Sequence, residues 1–338
     1  MPMLNHENVK NVGEFGLISR LTSGAKQGRG VVTGIGDDAA VTALTPGMQL
    51  LTSTDMLLED VHFRRRWHDP YRLGRKSLAV NISDIAAMGG IPRWALLSLA
   101  IPADISLDFL DLFTAGFLSL AEEQGVSLIG GDTCASRSGL IISVTIMGEQ
   151  FPEQILRRSG ARPGDEIWVS GTLGDAAAGL KLLERQPPLH GDEEQVLVAR
   201  LLDPTPRTAA GRTLATSGLV TAMIDVSDGV LSDFGHIAEL SGVGGTIQLG
   251  HIPLSNAFLA ASRSSHSALQ SLALSGGEDY ELCFTAPLDH HEKIDDLMKK
   301  CGVQVTPVGI VTNSKEVVVV NPDGSRYDVP NCGFNHFS

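Results

Sequence analysis

The sequence predicts a mixed α/β protein with two unequal domains. The chain has 338 residues, enough for two domains at roughly 150 residues each. Short apolar runs alternate with stretches whose apolar residues recur at helical spacing. Phe151-Pro152 and the basic pair Arg157-Arg158 interrupt this pattern. We therefore expect domains at residues 1–150 and 151–338.

The first domain begins with a strand at residues 48–54 that ends at Asp55. The helix at 107–124 is the clearest, because apolar residues recur along one face and Gly125 follows, as at many helix ends. A second helix is predicted at 71–80, and further strands at 94–101, 126–129 and 140–147.

The second domain restarts at Gly164 with a turn into a buried strand, followed by a Gly-rich turn and an alanine-rich helix from Asp175. Residues 185–195 contain two prolines and several acids, which predicts a surface loop. Further helices are predicted at 207–216 and 230–240, and strands at 222–224, 282–285 and 317–320.

Charge excludes several classes of protein. With 26 basic and 39 acidic residues, the net charge is −13. Binding to nucleic acid or to an anionic membrane needs clustered cations, so we expect neither.

The compartment is indicated by other features. The four cysteines are far apart, no apolar run is long enough to span a bilayer, and residues 1–10 lack a signal-peptide pattern. We expect a cytoplasmic protein.

Carboxylates beside glycines or at predicted element ends are the most informative feature. One Gly-Asp pair is most often a turn, but recurrence along the chain favours a shared site at the ends of strands and helices. Oxygen ligands without His or Cys clusters suit Mg²⁺, and several converging acids need more than one cation. The seven acids are Asp37, Asp38, Asp55, Asp84, Asp132, Asp225 and Asp228.

Two of these acids belong to a repeated pattern. Ser83-Asp84 and Ser227-Asp228 each precede a predicted helical stretch. Helix capping alone accounts for either pair, whereas the repetition favours function.

The sequence contains no P-loop, dinucleotide fingerprint or protein-kinase motif set, and no convincing nucleophile and base. Arg158 is a candidate phosphate ligand or a solvated basic residue. His62 is a candidate substrate contact or a structural residue.

A set of short segments occurs in order along nearly the whole chain: Gly13-Glu14-Phe15, Gly34 to Ala39, Ser53-Thr54-Asp55, His62-Phe63, Asn81 to Gly89, Ile129 to Thr133, Arg158 to Ala161, Asp225 to Gly229 and Ser275 to Leu282. Taken together, these segments resemble the thiamine-monophosphate kinase family. The resemblance implies a PurM-like fold in both domains and a homodimer formed by the N-terminal domains.

The resemblance also implies roles for individual residues. Several Mg²⁺ ions would be held by Asp37, Asp38, Ser53, Thr54, Asp55, Asp84, Asp132, Asp225 and Asp228. ATP would meet Asp38, Gly131, Asp132, Arg158 and Ser227. The thiamine end of the substrate would meet His62, Glu278 and Phe334.

The activity implied is ATP-dependent phosphorylation of thiamine monophosphate to thiamine diphosphate, with ADP released and no covalent enzyme intermediate. Other enzymes with this fold are alternatives, such as aminoimidazole ribonucleotide synthetase, selenophosphate synthetase or the hydrogenase-maturation dehydratase. The first cysteine, Cys134, and the C-terminal His336-Phe337-Ser338 disfavour the last two. A metal- or nucleotide-binding module without turnover is a further alternative.

Overall fold

The computed structural model describes residues 12–185, 189, 191–261, 266–329 and 333. The chain divides into two compact units. The first comprises Met1–Ile85 and Ile91–Pro152, and the second comprises Ala86–Gly90 and Glu153–Ser338. Strands and helices occur throughout both, which confirms the mixed α/β class. No helix in the described part of the chain is long and apolar enough to cross a membrane.

The first unit is built on a four-stranded sheet with the order β3-β6-β4-β5. Strands β4 and β5 are parallel, and the other neighbours are antiparallel. Its strands are β1 (Val31–Thr33), β2 (Val41–Thr42), β3 (Gln49–Leu58), β4 (Ile91–Ile101), β5 (Ser127–Ala135) and β6 (Ile141–Gln150), of which β1 and β2 form a separate pair. Its helices are α1 (Gly13–Thr22), α2 (Pro70–Ala87, whose last residues belong to the second unit) and α3 (Leu107–Gln124).

Helix α3 shows how local sequence sets an element. The Ser106 side chain accepts a hydrogen bond from the Phe109 N–H at 3.2 Å, and Gly125 ends the helix in the left-handed conformation. Between these caps, Leu110, Phe113 and Phe117 are buried. The helix therefore covers the apolar core of the first unit.

The second unit contains a six-stranded sheet with the order β12-β9-β11-β7-β10-β8. Only β12 and β9 are parallel among its neighbours. Its strands are β7 (Asp165–Ser170), β8 (Ala222–Val226), β9 (Gly244–Gln248), β10 (Glu281–Pro287), β11 (Val305–Thr312) and β12 (Val317–Val320). Its helices are α4 (Asp175–Glu184), α5 (Asp192–Leu202), α6 (Thr208–Ser217), α7 (Val230–Ser241), α8 (Asn256–Ala261), α9 (His266–Ser275) and α10 (His291–Cys301).

This sheet is buried on both faces. Ile167 and Val169 of β7 pack in one apolar cluster with Phe234 of α7. Trp168, between them in sequence, packs in another cluster and stacks on Phe284 with ring centroids 6.0 Å apart. Because successive side chains of a strand point to opposite faces, a run such as residues 167–169 must be apolar throughout.

The structure corrects several sequence predictions. Strand β3 continues to Leu58, because Leu58 still pairs with Ile141 of β6, so Asp55 lies inside the strand. Asp132 likewise lies inside β5. Residues 192–195 belong to α5, not to a loop.

Helix α2 differs most from prediction. It runs to Ala87, so Asp84 lies in its last turn and not at a helix start. Buried Asn81 is accommodated in the helix because its amide donates to the Ser77 carbonyl at 3.0 Å. The repeated pattern is thus not a structural repeat, since Asp228 does precede a helix.

Candidate active site

Strand β3 and helix α2 bring a serine and two carboxylates together in the first unit. The Ser53 hydroxyl donates to Asp84 Oδ2 at 2.5 Å. The Asp55 backbone N–H donates to Asn81 Oδ1 at 3.1 Å. Ser53 and Asp55 are two residues apart on a strand and therefore share a face. We call Ser53, Asp55 and Asp84 the acidic cluster of the first unit.

This cluster is electrostatically strained without a cation. Burial and then the nearby charge of Asp84 raise the pKa of Asp55 from 3.8 to about 6. Both effects disfavour the carboxylate. A divalent cation would reverse the second, and hard carboxylate and hydroxyl oxygens are donors that suit Mg²⁺.

Strand register separates two other predicted ligands from this cluster. The residues paired in one row across the sheet with Asp55 of β3 are Val144 of β6, Leu97 of β4 and Gly131 of β5. Asp132 of β5 instead pairs with Ser98 of β4, in the next row. Directly paired residues share a face, so Asp132 lies on the opposite face of the sheet from Asp55. Because β5 is three strands from β3, the two backbones are also about 14 Å apart at usual strand spacings.

The other predicted ligand that lies on the opposite face from Asp55 is Thr54, which is exposed. We call this the open face of the sheet. Its hydroxyl donates to the Val144 carbonyl at 3.0 Å and lies 3.1 Å from the Thr145 hydroxyl. The structure thus brings together Ser53, Asp55 and Asp84, and places Thr54 and Asp132 elsewhere on the sheet. The resemblance implied three adjacent ligands at 53–55, but alternation along β3 points the middle one away.

Asp37 and Asp38 lie in the exposed loop between β1 and β2. The Asp38 backbone N–H donates to Asp37 Oδ1 at 2.9 Å, which is a local turn contact. Gly131 is required at its position, because a Cβ there would collide with the Leu97 carbonyl and its φ is +156°. The exposed Asp132 follows it directly.

His62 is held at the end of β3. Its Nδ1 accepts a hydrogen bond from the Leu58 N–H at 3.0 Å. In the neutral ring the proton is then on Nε2, which gives this side chain a donor. The ring is half-buried.

In the second unit, the predicted ligands lie where β8 leads into α7. Asp225 is buried, while Ser227 and Asp228 are half-buried. The side chain of Asp233, in the first turn of α7, accepts hydrogen bonds from the backbone N–H groups of Ser227, Asp228 and Gly229 at 3.0–3.1 Å. Burial and then the charges of Asp225 and Asp228 raise the pKa of Asp233 to about 8.

The segment Ser275–Glu281 is packed directly on this junction. The Glu278 N–H donates to the Ser227 carbonyl, and the Tyr280 N–H to the Val226 carbonyl, both at 2.8 Å. A Cβ on Gly277 would lie 2.5 Å from the Ser227 carbonyl oxygen. Glycine there permits this close approach, so the motif fixes Glu278 beside the β8–α7 junction.

Two residues of this segment are conformationally unusual. Glu278 and Tyr280 have positive φ angles of 70° and 50°, which non-glycine residues rarely adopt. Such strain concentrates at functional sites. Between them, Asp279 accepts from the Gly174 N–H at 2.8 Å, and burial raises its pKa well above the usual range.

Glu281 extends the network into the sheet. It accepts from the Ser170 hydroxyl at 2.6 Å and forms an ion pair with Arg207. The Ser170 hydroxyl accepts in turn from the Leu282 N–H at 2.8 Å. Sequence reasoning assigned no role to Asp233, Asp279 or Glu281. The first is the fourth residue of α7, one position beyond the usual capping-box acid, so its position in the sequence is only a weak signal.

Arg158 lies on an exposed loop that is fixed through its backbone. Ser241 accepts from the Gly160 and Ala161 N–H groups at 3.1 and 3.2 Å. The Met223 N–H donates to the Arg157 carbonyl at 2.9 Å. The loop is thereby attached to β8. Phe334, the remaining predicted substrate contact, lies outside the described residues.

Within the residues that the structure describes, no three His, Cys, Asp or Glu side chains are grouped closely enough to hold a metal ion. The donors present are nevertheless chemically suited to Mg²⁺, because the repulsion in the acidic cluster and at Asp233 is the kind that a cation relieves. The metal-ligand assignments therefore remain predictions, with Ser53, Asp55 and Asp84 the set that geometry gathers.

Comparison with known families supports the architecture. The family described as AIR synthase related protein, N-terminal domain, matches residues 36–150, and its C-terminal domain counterpart matches residues 162–321. Apart from Ala86–Gly90, which belong to the second unit, the first match lies in the first unit and the second match in the second.

Similar proteins span nearly the whole chain. Thiamine-monophosphate kinase from Escherichia coli (strain K12) is 39% identical over 96% of this chain and 98% of its own length. The crystal structure of thiamine-monophosphate kinase from Stenotrophomonas maltophilia K279a superimposes with a TM-score of 0.83 at 38% identity, covering 94% of this chain and 98% of that one. A structure of AaThiL complexed with AMPPCP and TMP has a TM-score of 0.76 at 33% identity, covering 99% and 100%.

Proposed function

Because the chain belongs to the thiamine-monophosphate kinase family, we propose that it transfers the γ-phosphoryl group of ATP to thiamine monophosphate. A phosphate oxygen of thiamine monophosphate attacks the γ-phosphorus, and the bond to the β,γ-bridging oxygen breaks. The products are thiamine diphosphate and ADP. The complex of AaThiL with AMPPCP and TMP supports both substrates.

The acidic cluster of the first unit is the observation that carries this proposal. Two phosphate groups approaching each other bring several negative charges together, which phosphoryl-transfer enzymes offset with metal ions. Burial and the charge of Asp84 together raise the pKa of Asp55, and the Ser53 hydroxyl donates a hydrogen bond to Asp84. The oxygen atoms of the acidic cluster are therefore suited to binding a divalent cation.

Mg²⁺, when bound, would neutralise the phosphates and align them. Ser53, Asp55 and Asp84 would hold Mg²⁺ in the first unit, and Asp225 and Asp228 would be ligands in the second. Thr54 and Asp132 lie away from this cluster and, with Asp37 and Asp38, would hold further Mg²⁺ ions. Asp38, Gly131, Asp132, Arg158 and Ser227 would contact ATP.

No protein base or nucleophile is assigned in this mechanism. A phosphate monoester has a second pKa near 6 and is mostly dianionic at neutral pH, so its attacking oxygen needs no deprotonation. The protein's task is to bind and orient. His62, Glu278 and Phe334 would hold the thiamine end, with His62 donating through Nε2.

We also propose that the protein acts as a homodimer through the open face of the four-stranded sheet. Leu50 and Met56 on this face are 49% and 54% exposed, and they alternate with the buried Leu51 and Leu57. An apolar sheet face of this kind fits a second copy of the chain. We place the protein in the cytoplasm, because its widely spaced cysteines suit a reducing compartment.

The alternatives differ in chemistry more than in fold. The AIR synthase related domains are compatible with other enzymes of the superfamily, whereas identity along the full chain favours the thiamine kinase.

The test is product analysis by ion-exchange chromatography after incubation with ATP, Mg²⁺ and thiamine monophosphate. Wild-type protein should form thiamine diphosphate. Asp84→Asn should lose nearly all turnover, because it removes one charge from the acidic cluster. Asp108→Asn, an exposed acid in the first turn of α3, is the control and should stay active. Equal activity of all three proteins would refute the assignment of the site.

A further inference from the structure

One carboxylate oxygen holds three consecutive backbone groups at the β8–α7 junction. Asp233 Oδ2 accepts from the N–H groups of Ser227 at 3.0 Å, Asp228 at 3.1 Å and Gly229 at 3.1 Å. The residue is 2% exposed, so no solvent competes for these bonds. Buried N–H groups need a hydrogen-bond partner, so these three bonds fix the direction of the backbone.

Ordinary helix capping does not require this arrangement. A cap satisfies orphan N–H groups at the helix start through the N-cap side chain or the third helical residue. Here Gly229 is the N-cap and makes no side-chain bond, and Asp233 reaches back from the fourth helical residue. It bonds the N–H groups of Ser227 and Asp228, which precede the helix, as well as that of the N-cap residue itself.

The same junction is held from its other side. The Ser227 carbonyl accepts from the Glu278 N–H at 2.8 Å. Gly229 has a φ of +115°, and a Cβ there would lie 2.7 Å from the Ser275 backbone. Because its N–H groups are bound on one side and the Ser227 carbonyl on the other, the backbone at 227–229 is held in a single conformation. That conformation determines where the Ser227 and Asp228 side chains lie.

We propose that Asp233 is a positioning residue for phosphoryl transfer, which fixes the 227–229 backbone so that Ser227 and Asp228 meet the nucleotide and its cation. This inference rests on the proposed function. Asp233 itself touches neither substrate nor metal ion.

The variants Asp233→Asn and Asp233→Ala separate this role from others. Asparagine keeps an acceptor oxygen at the same place, whereas alanine leaves three N–H groups without one. We expect kcat/KM for ATP to fall about 10-fold in Asp233→Asn and about 100-fold in Asp233→Ala, the range typical of residues that orient ligands. The KM for thiamine monophosphate should change less than twofold.

A buried acid away from the junction provides the control. Glu166 of β7 is buried and its carboxylate lies 2.9 Å from His291 Nδ1. Glu166→Gln should lower the melting temperature and leave the kinetic constants unchanged. Each variant is measured by thermal unfolding as well as by steady-state kinetics.

Two outcomes would overturn the proposal. If Asp233→Asn lowers only the melting temperature, as in Glu166→Gln, Asp233 is a structural cap. If the substitution raises tenfold the Mg²⁺ concentration that gives half the maximal rate, with ATP held saturating, the Asp233 carboxylate is a metal ligand.

Calorimetric binding of a non-hydrolysable ATP analogue with Mg²⁺ separates the proposal from the function on which it rests. Wild-type protein that binds the analogue but forms no thiamine diphosphate refutes the function, while at least fivefold weaker binding by Asp233→Asn still supports the positioning role. Equal binding by both proteins, or no binding by wild type, overturns it.

Discussion

Replacing Asp55 with asparagine removes a carboxylate whose pKa is raised in the acidic cluster. Burial and Asp84 raise the pKa of Asp55 from 3.8 to about 6. The folded, metal-free protein therefore binds a proton at Asp55 more readily than the unfolded chain does. Stability is lost as pH rises from about 4 to about 6 and stays low above that window. Asparagine abolishes this loss.

The size of the effect follows from the shift. At about 1.4 kcal/mol per pKa unit, the charged Asp55 carboxylate costs the metal-free fold about 3 kcal/mol at pH 7.5. At pH 4 the cost is about 0.5 kcal/mol. The free energy of unfolding of Asp55→Asn minus that of wild type should therefore increase by roughly 2.5 kcal/mol from pH 4 to pH 7.5.

Urea unfolding with EDTA at the two pH values measures this difference. Repetition in Mg²⁺ at pH 7.5 should stabilise wild type and have little effect on the variant, because binding to the folded state alone adds stability. Asp108→Asn, an exposed acid, is the control and should match wild type in its pH dependence and in its stabilisation by Mg²⁺. A difference between wild type and Asp55→Asn that is the same at both pH values, or equal stabilisation of both proteins by Mg²⁺, would refute the reasoning.

Four further predictions concern other side chains. Asp132→Asn should abolish turnover and leave the melting temperature within about 2 °C of wild type, because the residue is exposed and exposed changes cost little; near-normal activity would remove Asp132 from the site. His62→Ala should raise the KM for thiamine monophosphate at least tenfold more than the KM for ATP, and steady-state kinetics showing equal changes would exclude it from the thiamine site. His68 is buried, and burial followed by the charge of Lys76 lowers its pKa from 6.5 to about 3. Wild type should therefore lose about 2 kcal/mol of stability between pH 7.5 and pH 5 that His68→Phe retains, and parallel urea-unfolding profiles of the two proteins would contradict this. Met56→Glu should convert a dimer to a monomer in light scattering, and an unchanged mass would refute the proposed interface.

Much of the fold was predictable, because the apolar pattern is strong where the strands and helices are buried. The helix at 107–124 was predicted with the bounds that the structure has. The β8–α7 junction was also anticipated, since Asp225 and Asp228 lie at the end of a strand and just before a helix. Local sequence determines such boundaries through turns and caps.

Helix α2 was predicted too short for a tertiary reason. Asn81, Ser83 and Asp84 look like the start of a new helix, yet Asn81 and Ser83 are fully buried in α2. Asn81 is accommodated there because the Asp55 N–H donates to it. A partner on a distant strand cannot be identified from one sequence.

The separation of Asp132 from Asp55 was equally invisible, because it depends on strand register, which pairing across the whole sheet decides. Thr54 points away from Asp55 only because neighbouring side chains of a strand alternate. Asp233 was missed for a different reason, because backbone contacts leave only a weak mark on the sequence.

The most direct test of the central claim follows the γ-phosphoryl group of ATP. Incubation of the protein with ATP labelled at the γ-phosphate, Mg²⁺ and thiamine monophosphate should place the label in the terminal phosphate of thiamine diphosphate, with one ADP formed for each product molecule. No labelled protein should accumulate. Label released only as inorganic phosphate, or retained on the protein, would contradict direct transfer between the two substrates.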